Sequence, residues 1–144
     1  MKVVIQRVKK ASVSVGDKLI NEIGNGFMLL VSFTDGDTLE NVTKMAKKIA
    51  NIRIFDDENG VMNKSILDVN GTILSISQFT LYADTKKGNR PSYINALRGD
   101  EAIKLYEAFN KEMNSYVKTS PGVFGADMQV SLINDGPVTI LLEN

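Results

Sequence analysis

The segment Ile73-Leu-Ser-Ile-Ser-Gln-Phe-Thr-Leu81 is an apolar run into which three hydroxyls and one amide are set. Its apolar residues predict a strand over Thr72–Leu81, which begins after the turn dipeptide Asn70-Gly71. A polar group taken out of water without a partner costs roughly 1–3 kcal/mol. We therefore expect the polar side chains to be paired within the protein or presented to a ligand; they are Ser75, Ser77, Gln78 and Thr80.

The residues before this segment predict several strands and one helix. β-Branched residues and alternating apolar positions indicate strands at Lys2–Val8, Ala11–Val15, Lys18–Ile23, Gly26–Phe33 and Arg53–Phe55. A helix is predicted from Asp37 or Thr38 to about Ile52, because its apolar residues recur on one face.

The residues after this segment predict a second helix and two final strands. The helix covers about Asp100–Val117, and Pro121-Gly122 then breaks the chain. The last strands are expected at Met128–Ile133 and Val138–Leu142. A turn at Asn134-Asp-Gly-Pro137 would join them, since these residues favour turns.

Length and element order fit a single α/β domain. The chain has 144 residues, of which 43% are hydrophobic, enough for a substantial core. The alternation of strands and helices predicts one domain over residues 1–144, with layered β-sheets (a β/β/α arrangement) backed by two main helices. A Rossmann fold is not expected, because no Gly-rich turn joins a strand to a helix.

The composition excludes several kinds of chemistry. The chain has no histidine and no cysteine, so a Ser-His pair, a thiolate and the usual zinc ligands are not available to it. We expect no metal and no cofactor. The 17 basic and 17 acidic residues balance, which does not favour wholesale binding of nucleic acid but permits a local basic patch; no DNA partner is expected. Without disulfides or a long apolar run, a cytoplasmic protein without membrane contact is expected.

Two polar segments each have a structural and a functional interpretation. Gly88-Asn-Arg-Pro-Ser-Tyr93 is by default a loop, but Lys86, Lys87 and Arg90 could hold phosphates. Arg7 stands in an otherwise apolar strand, where a structural ion pair is the default interpretation. Its fork of donors would also suit backbone carbonyls.

Two later segments have the same ambiguity. Phe124 and Met128 fit an ordinary core, yet a Phe and a Met four residues apart can also border a flat pocket for an aromatic base. Asn134-Asp-Gly-Pro-Val-Thr139 is by default a hairpin turn. If the Gly136–Pro137 bond were cis, the segment would aim consecutive carbonyls in one direction, towards a ligand.

Taken together, these motifs resemble those of one family. The chain is similar over essentially its whole length to the D-aminoacyl-tRNA deacylases, first known as D-tyrosyl-tRNA deacylase. The motifs, in order, are Ile5-Gln-Arg-Val8, Ser77-Gln-Phe-Thr-Leu81, Gly88-x-x-Pro-Ser-Tyr93, Phe124-Gly-Ala-Asp-Met-Gln-Val-Ser-Leu132 and Asn134-x-Gly-Pro-Val-Thr139. Tyr93 departs from the family's more frequent Phe, and Tyr82 is larger than the small residue expected there, which could alter the pocket rim.

The resemblance implies an enzyme that hydrolyses the ester between a D-amino acid, or mischarged glycine, and the terminal adenosine of tRNA. L-Aminoacyl-tRNA would be spared, as translation quality control requires. The implied catalytic pocket is lined by Ser77, Gln78, Phe79 and Thr80. Backbone N–H groups around Phe79 and Thr80 would polarise the ester carbonyl. The Thr80 hydroxyl is either a nucleophile or a positioner; positioning is favoured because no base is evident nearby.

The resemblance also implies a substrate-binding set and a partner. Gly136 and Pro137 would form a cis-Pro selector that reaches into the active site of a second subunit, which requires a homodimer. Arg7 would brace this selector, and Phe124 and Met128 would border the terminal adenosine. The loop from Lys86 to Arg90 would contact acceptor-stem phosphates.

Three rival interpretations remain at this level. A relative within the family has a trans Gly-Pro and acts on L-alanine mischarged to tRNA, but the intact motifs at 77–81 and 134–139 argue against it. A non-catalytic module could hold the RNA 3′ end in the same pocket. A purely structural protein would leave the polar residues at 77–80 unexplained.

Overall fold

The structure combines two helices with a large β-sheet, which confirms the predicted α/β class. The computed structural model describes residues 1–144. The strands are β1 (Lys2–Val15), β2 (Lys18–Ile23), β3 (Gly26–Ser32), β4 (Phe55–Asp56), β5 (Met62–Lys64), β6 (Thr72–Ser77), β7 (Thr119–Pro121) and β8 (Gln129–Glu143). The helices are α1 (Leu39–Asn51) and α2 (Gly99–Tyr116), and a 3₁₀ turn covers Phe79–Tyr82. Neither α-helix is long and apolar enough to cross a membrane.

The long first strand organises the main sheet. β1 pairs antiparallel with β3 through its first half, with β2 through its second half, and with β8 along almost its whole length. The order of the six-stranded sheet is β2-β1-β3-β6-β7, with β8 joined to β1. β6 lies between β3 and β7 and pairs in parallel with both of them. A separate small ladder joins β4 to β5.

The pairing of β1 with β8 corrects two sequence predictions. Lys2–Val8 and Ala11–Val15 form one continuous strand, and so do Met128–Ile133 and Val138–Leu142 together with the segment between them. Asn134-Asp-Gly-Pro137 is therefore a bulge inside β8 and not a hairpin turn. Gln6 pairs with Thr139 and Val8 with Asn134, so five steps of β8 lie opposite two steps of β1. Bulges and turns favour the same residue types, which is why composition alone misjudged this segment.

Apolar side chains cover both faces of the main sheet. The larger core lies between the sheet and the two helices, and the stacked rings of Phe27 and Phe55, with centroids 5.2 Å apart, belong to it. α1 begins at the N-cap Thr38, one of the two predicted caps, and α2 presents Tyr106 and Phe109 to this core. A smaller cluster on the other face includes Val13, Leu74 and Ile76.

The strand that carries the polar motif is shorter than predicted. β6 ends at Ser77, whereas the apolar pattern predicted a strand to Leu81. Gln78 leaves the strand with φ −145° and ψ 77°, and the 3₁₀ turn follows at once. The chain thus ends its pairing within the polar motif, and residues 77–81 are half-buried or exposed. This end of the strand is where a site can form.

We expect Gly26 to be essential for the junction of β3 and β6. A Cβ atom at Gly26 would lie 1.8 Å from the carbonyl oxygen of Thr72, which is backbone and cannot rotate away. Gly26→Ala should therefore lower the free energy of unfolding by about 3 kcal/mol, measured by urea denaturation. Gly24→Ala is the matched control, because nothing lies within 4 Å of its added Cβ. Equal stability of the two variants would contradict this account.

Candidate active site

One cavity brings together residues from two of the sequence motifs, those at 77–81 and 124–132. It has a volume of about 300 Å³ and lies at the carboxyl ends of the neighbouring strands β3 and β6. The structure brings Ser77, Gln78 and Phe79 together around it with Phe124 and Met128. Most of the other lining residues are hydrophobic, so the cavity suits a flat, largely apolar group with a few polar contacts at one side.

Gln78 fixes the position of the Thr80 hydroxyl. The Gln78 backbone N–H donates to the carbonyl of Val31 at 2.8 Å, and its side-chain Nε2 donates to Oγ1 of Thr80 at 2.6 Å. The threonine oxygen therefore accepts a bond and keeps its own O–H free to donate. Thr80 does not line the cavity directly, and its hydroxyl has no ionisable partner in the structure. A neutral amide cannot take a proton from it, so the group that holds the Thr80 hydroxyl is not a base.

The 3₁₀ turn exposes backbone donors beside the cavity. Phe79 and Thr80 are its first two residues, and the first N–H groups of a helical turn have no acceptor within that turn. The ring of Phe79 is about half exposed and packs edge-on against Tyr93, with centroids 5.1 Å apart. Tyr93 thus acts as a packing ring for Phe79.

Tyr82 does not contribute to the cavity rim. Its ring packs against the Nζ atom of Lys2, which lies 4.9 Å from the ring centroid. Partial burial, with smaller contributions from the charges of Asp37 and Glu143, raises the pKa of Tyr82 to about 12. The phenol is therefore neutral at physiological pH, and its larger size than expected is absorbed outside the cavity.

The opposite side of the cavity is a tight turn, which we call the 122–126 wall because it comprises residues Gly122 to Ala126. Ala126 N–H donates to the carbonyl of Val123 at 3.2 Å, and Gly125 has φ +75°. Phe124 is 37% exposed and faces the cavity, so it is not a core residue. Met128 is half-buried and packs against the smaller apolar cluster while it lines the cavity.

Sequence reasoning missed two residues that shape this site. Tyr106 lies within the predicted second helix without being singled out there, yet its hydroxyl donates to the carbonyl of Ser75 at 2.7 Å. Burial raises the pKa of this phenol, so it stays protonated as a donor. Ser32 lines the cavity with a buried hydroxyl that has no hydrogen-bond partner. No pattern in the sequence marks either residue, because each depends on which strand or loop lies opposite.

The four polar side chains of the opening motif have different fates. Ser75 is fully buried and its hydroxyl is unpartnered, so it is neither paired nor presented. Gln78 and Thr80 pair with each other, while Ser77 and Gln78 line the cavity.

A second group of predicted residues lies elsewhere on the chain. Nη1 of Arg7 donates to the carbonyl of Ile54 at 2.7 Å, and Nε donates to the backbone carbonyl of Asp135 at 3.2 Å. The Asp135 carboxylate lies 3.3 Å from the same Nε. Arg7 is only 6% exposed, and it makes both the ion pair and the carbonyl contacts that the sequence left as alternatives.

Arg7 holds the bulge of β8 in a defined place. Gly136 and Pro137 follow Asp135 directly, are exposed, and are joined by a cis peptide bond. Neither residue lines the cavity of its own chain. Arg7, which holds the bulge, pairs with Phe27 on β3, whereas the first β3 residue to line the cavity is Val31, four residues further along.

The loop from Lys86 to Arg90 is exposed, and the residues that flank it are joined by hydrogen bonds. Asp84 and Ser92 exchange two backbone hydrogen bonds of 2.8 and 2.9 Å, which close the loop between them. Lys86, Lys87 and Arg90 are exposed and make no ion pair, so their charges face solvent. No group of three or more Asp, Glu, His or Cys side chains comes together to hold a metal ion.

Comparison with known proteins gives three findings. A family model described as "D-Tyr-tRNA(Tyr) deacylase" matches residues 4–143. A solved structure titled "c-Myc DNA Unwinding Element Binding Protein" is 41% identical, with a TM-score of 0.94 over 100% of this chain and 99% of that one. A structure titled as a probable eukaryotic D-amino acid tRNA deacylase is 18% identical, with a TM-score of 0.83 over 98% and 97% of the two chains; it shares the fold.

We expect Arg7 to stabilise the protein far more than its neighbour Lys9, although both contact the Asp135 carboxylate. Arg7→Met removes the donors to two carbonyls and leaves Asp135 without its buried partner. It should lower the free energy of unfolding by about 3 kcal/mol. Lys9→Met should cost less than about 1 kcal/mol, because the Lys9 side chain is 64% exposed. Urea denaturation measures both, and equal losses would refute the bracing role of Arg7.

Proposed function

The chain belongs to the D-Tyr-tRNA(Tyr) deacylase family and is a D-aminoacyl-tRNA hydrolase, and we propose that it also removes glycine mischarged on tRNA while sparing L-aminoacyl-tRNA. This activity would serve translation quality control in the cytoplasm. One observation carries the site assignment: the Ser77-Gln78-Phe79 segment shares a single cavity with the apolar residues Phe124 and Met128. An ester and the adenosine beside it need such adjoining polar and apolar surfaces.

The chemistry we propose uses backbone groups and the substrate itself. A water oxygen forms a bond with the ester carbonyl carbon, the bond to the ribose oxygen breaks, and that oxygen takes up a proton. The N–H groups of Phe79 and Thr80 stabilise the developing oxyanion. The neighbouring ribose hydroxyl helps to activate the water, because the chain has no histidine or cysteine to do so. The Thr80 hydroxyl, held by Gln78, positions the reactants and does not attack.

Phe124 and Met128 are proposed to border the terminal adenosine. An aromatic ring and a polarisable thioether both make favourable contacts with a base. Phe124 is supported by its exposure on the cavity side, since a core role would have buried it. The free charges of Lys86, Lys87 and Arg90 support the proposal that this loop meets acceptor-stem phosphates.

The selector is proposed to be Gly136-Pro137, acting on the cavity of a second subunit. Its carbonyls would lie where an L side chain projects and exclude it, whereas a D side chain points away and glycine has nothing to exclude. Two observations support action in trans. The bulge is separate from the cavity of its own chain, and β8 pairs only with β1, which leaves a long edge that exposes Ile133 and Leu141. A homodimer with active sites at the interface follows from this proposal.

A non-catalytic module that holds the RNA 3′ end is the second candidate. The largely apolar cavity and the neutral Gln78 partner of the Thr80 hydroxyl are the observations that favour it. Such a module would bind uncharged tRNA without turning over an ester.

We expect D-tyrosyl-tRNA and glycyl-tRNA to be hydrolysed at least about 100-fold faster than L-tyrosyl-tRNA, with chelator present. The selector reads the substituents of the α-carbon, so both accepted substrates share the absence of an L side chain. Release of amino acid from labelled aminoacyl-tRNA measures all three rates.

The same preparations should sediment as a dimer at the assay concentration. Survival of all three esters, with tight binding of uncharged tRNA, would leave the non-catalytic module as the function. Hydrolysis by a monomer would refute the selector in trans.

The role of Thr80 can be separated by single-turnover kinetics. Thr80→Val removes the hydroxyl at nearly constant volume and should slow hydrolysis of D-tyrosyl-tRNA only about 10-fold, the cost of one positioning hydrogen bond. Loss of a nucleophile would instead cost on the order of 10⁴-fold or more. Thr80→Ser keeps the hydroxyl and serves as the control, with a rate close to that of the unaltered enzyme.

A further inference from the structure

One carbonyl oxygen joins the two sides of the cavity. The carbonyl of Ser75 accepts a hydrogen bond from the Tyr106 hydroxyl at 2.7 Å and another from the Gly122 N–H at 2.8 Å. Ser75 stands two residues before Ser77 on β6, and Gly122 stands two residues before Phe124 on the 122–126 wall. The hydrogen bonds to this one oxygen therefore help to fix the distance between the polar segment and the 122–126 wall.

Tyr106 contacts both sides at once. It lies on α2, is only 3% exposed, and its hydroxyl reaches the strand that leads into the polar segment. Its ring packs against the ring of Phe124 with centroids 5.7 Å apart and planes tilted by 48°. The residue therefore ties β6 to the wall from the side of the helix, without lining the cavity itself.

The wall has little room to move towards the strand. A Cβ atom added at Gly122 would lie 2.7 Å from Sδ of Met128 and 3.0 Å from Cδ1 of Ile76. Ile76 and Met128 both line the cavity. The backbone of the wall is thus seated directly on the side chains that shape the pocket, so a change in its position would be transmitted to them.

We propose that Tyr106 is a positioning residue for the deacylation reaction, which holds the 122–126 wall at a fixed distance from the end of β6. It does not touch the substrate. It acts through Phe124 and Met128, and so this inference rests on the proposed function, in which these two residues border the terminal adenosine. A more mobile wall would lower the affinity for the terminal adenosine and leave the polar segment in place. Substrate affinity should therefore fall more than the rate of the chemical step.

Tyr106→Phe tests this proposal by removing only the hydroxyl. The expected result is a rise of about 3- to 10-fold in KM for D-tyrosyl-tRNA, which is the order of effect expected from losing one hydrogen bond. The value of kcat should change less than about 2-fold. The Kd of an uncharged RNA hairpin with a 3′-terminal CCA should rise by the same factor. Ile49→Val is the matched control, since Ile49 is fully buried in the same core but does not line the cavity. Its KM and Kd should equal those of the unaltered enzyme.

Several outcomes would overturn the proposal. Unchanged KM and Kd in Tyr106→Phe, a fall in kcat alone, or equal effects in the Ile49→Val control would each do so, as would failure of the unaltered protein to bind the hairpin. If the unaltered protein binds the hairpin but hydrolyses no ester, the deacylase mechanism fails while the Kd comparison still decides the role of Tyr106.

A second variant covers the case in which Tyr106→Phe does not fold. Gly122→Ala removes no hydrogen-bonding group, and its added Cβ must displace either the wall or the Met128 and Ile76 side chains that line the cavity. It should raise KM and the hairpin Kd by a similar factor while kcat stays close to normal. Unaltered KM and Kd in a folded Gly122→Ala protein would show that the contact between the wall and these cavity side chains does not affect binding, and the proposal would fall.

Discussion

The pairing of β1 with β8 is the constraint on which the rest of the structure depends. β1 has one edge filled by β2 and β3 and the other filled by β8, so every backbone group along most of its length can be satisfied within the sheet. This fixes the register of Arg7, which points into the core on the strand's buried side. It also fixes where the bulge of β8 must stand, because the register on each flank of the bulge is separately paired with β1.

The site makes use of a strand that stops. A polar side chain inside a paired strand has few partners, as the unpartnered hydroxyl of Ser75 illustrates. Two residues further on, the chain leaves the sheet, and the same types of side chain become useful: Gln78 orders Thr80, and the start of the 3₁₀ turn offers free N–H groups. In the proposed mechanism, a chain without histidine or cysteine relies on such backbone donors, which carry partial charge without any need for titration.

The sequence was a good guide to local structure and a poorer guide to what faces what. Helix positions, the cap at Thr38 and most strand positions followed from periodicity and turn residues. The end of β6 was misplaced because Phe79 and Leu81 continue an apolar pattern after the backbone has turned. The motif at 77–80 and the pair Phe124 and Met128 were identified as site residues, and the structure gathers all but Thr80 around one cavity. Tyr106 and Ser32 were not identified, because their roles arise only from contacts between elements distant in sequence.

The bulge of β8 is irregular in shape but does not have the freedom of a loop. Both of its ends are hydrogen-bonded into the sheet opposite residues of β1 that are only two apart, and Arg7 grips the backbone between them. The conformational entropy of this segment is therefore lost when the protein folds, not when a ligand arrives. In its proposed role as the selector, the bulge would present carbonyls that are already fixed in space. Binding would then require no ordering of this segment and would carry almost no entropic penalty on its side.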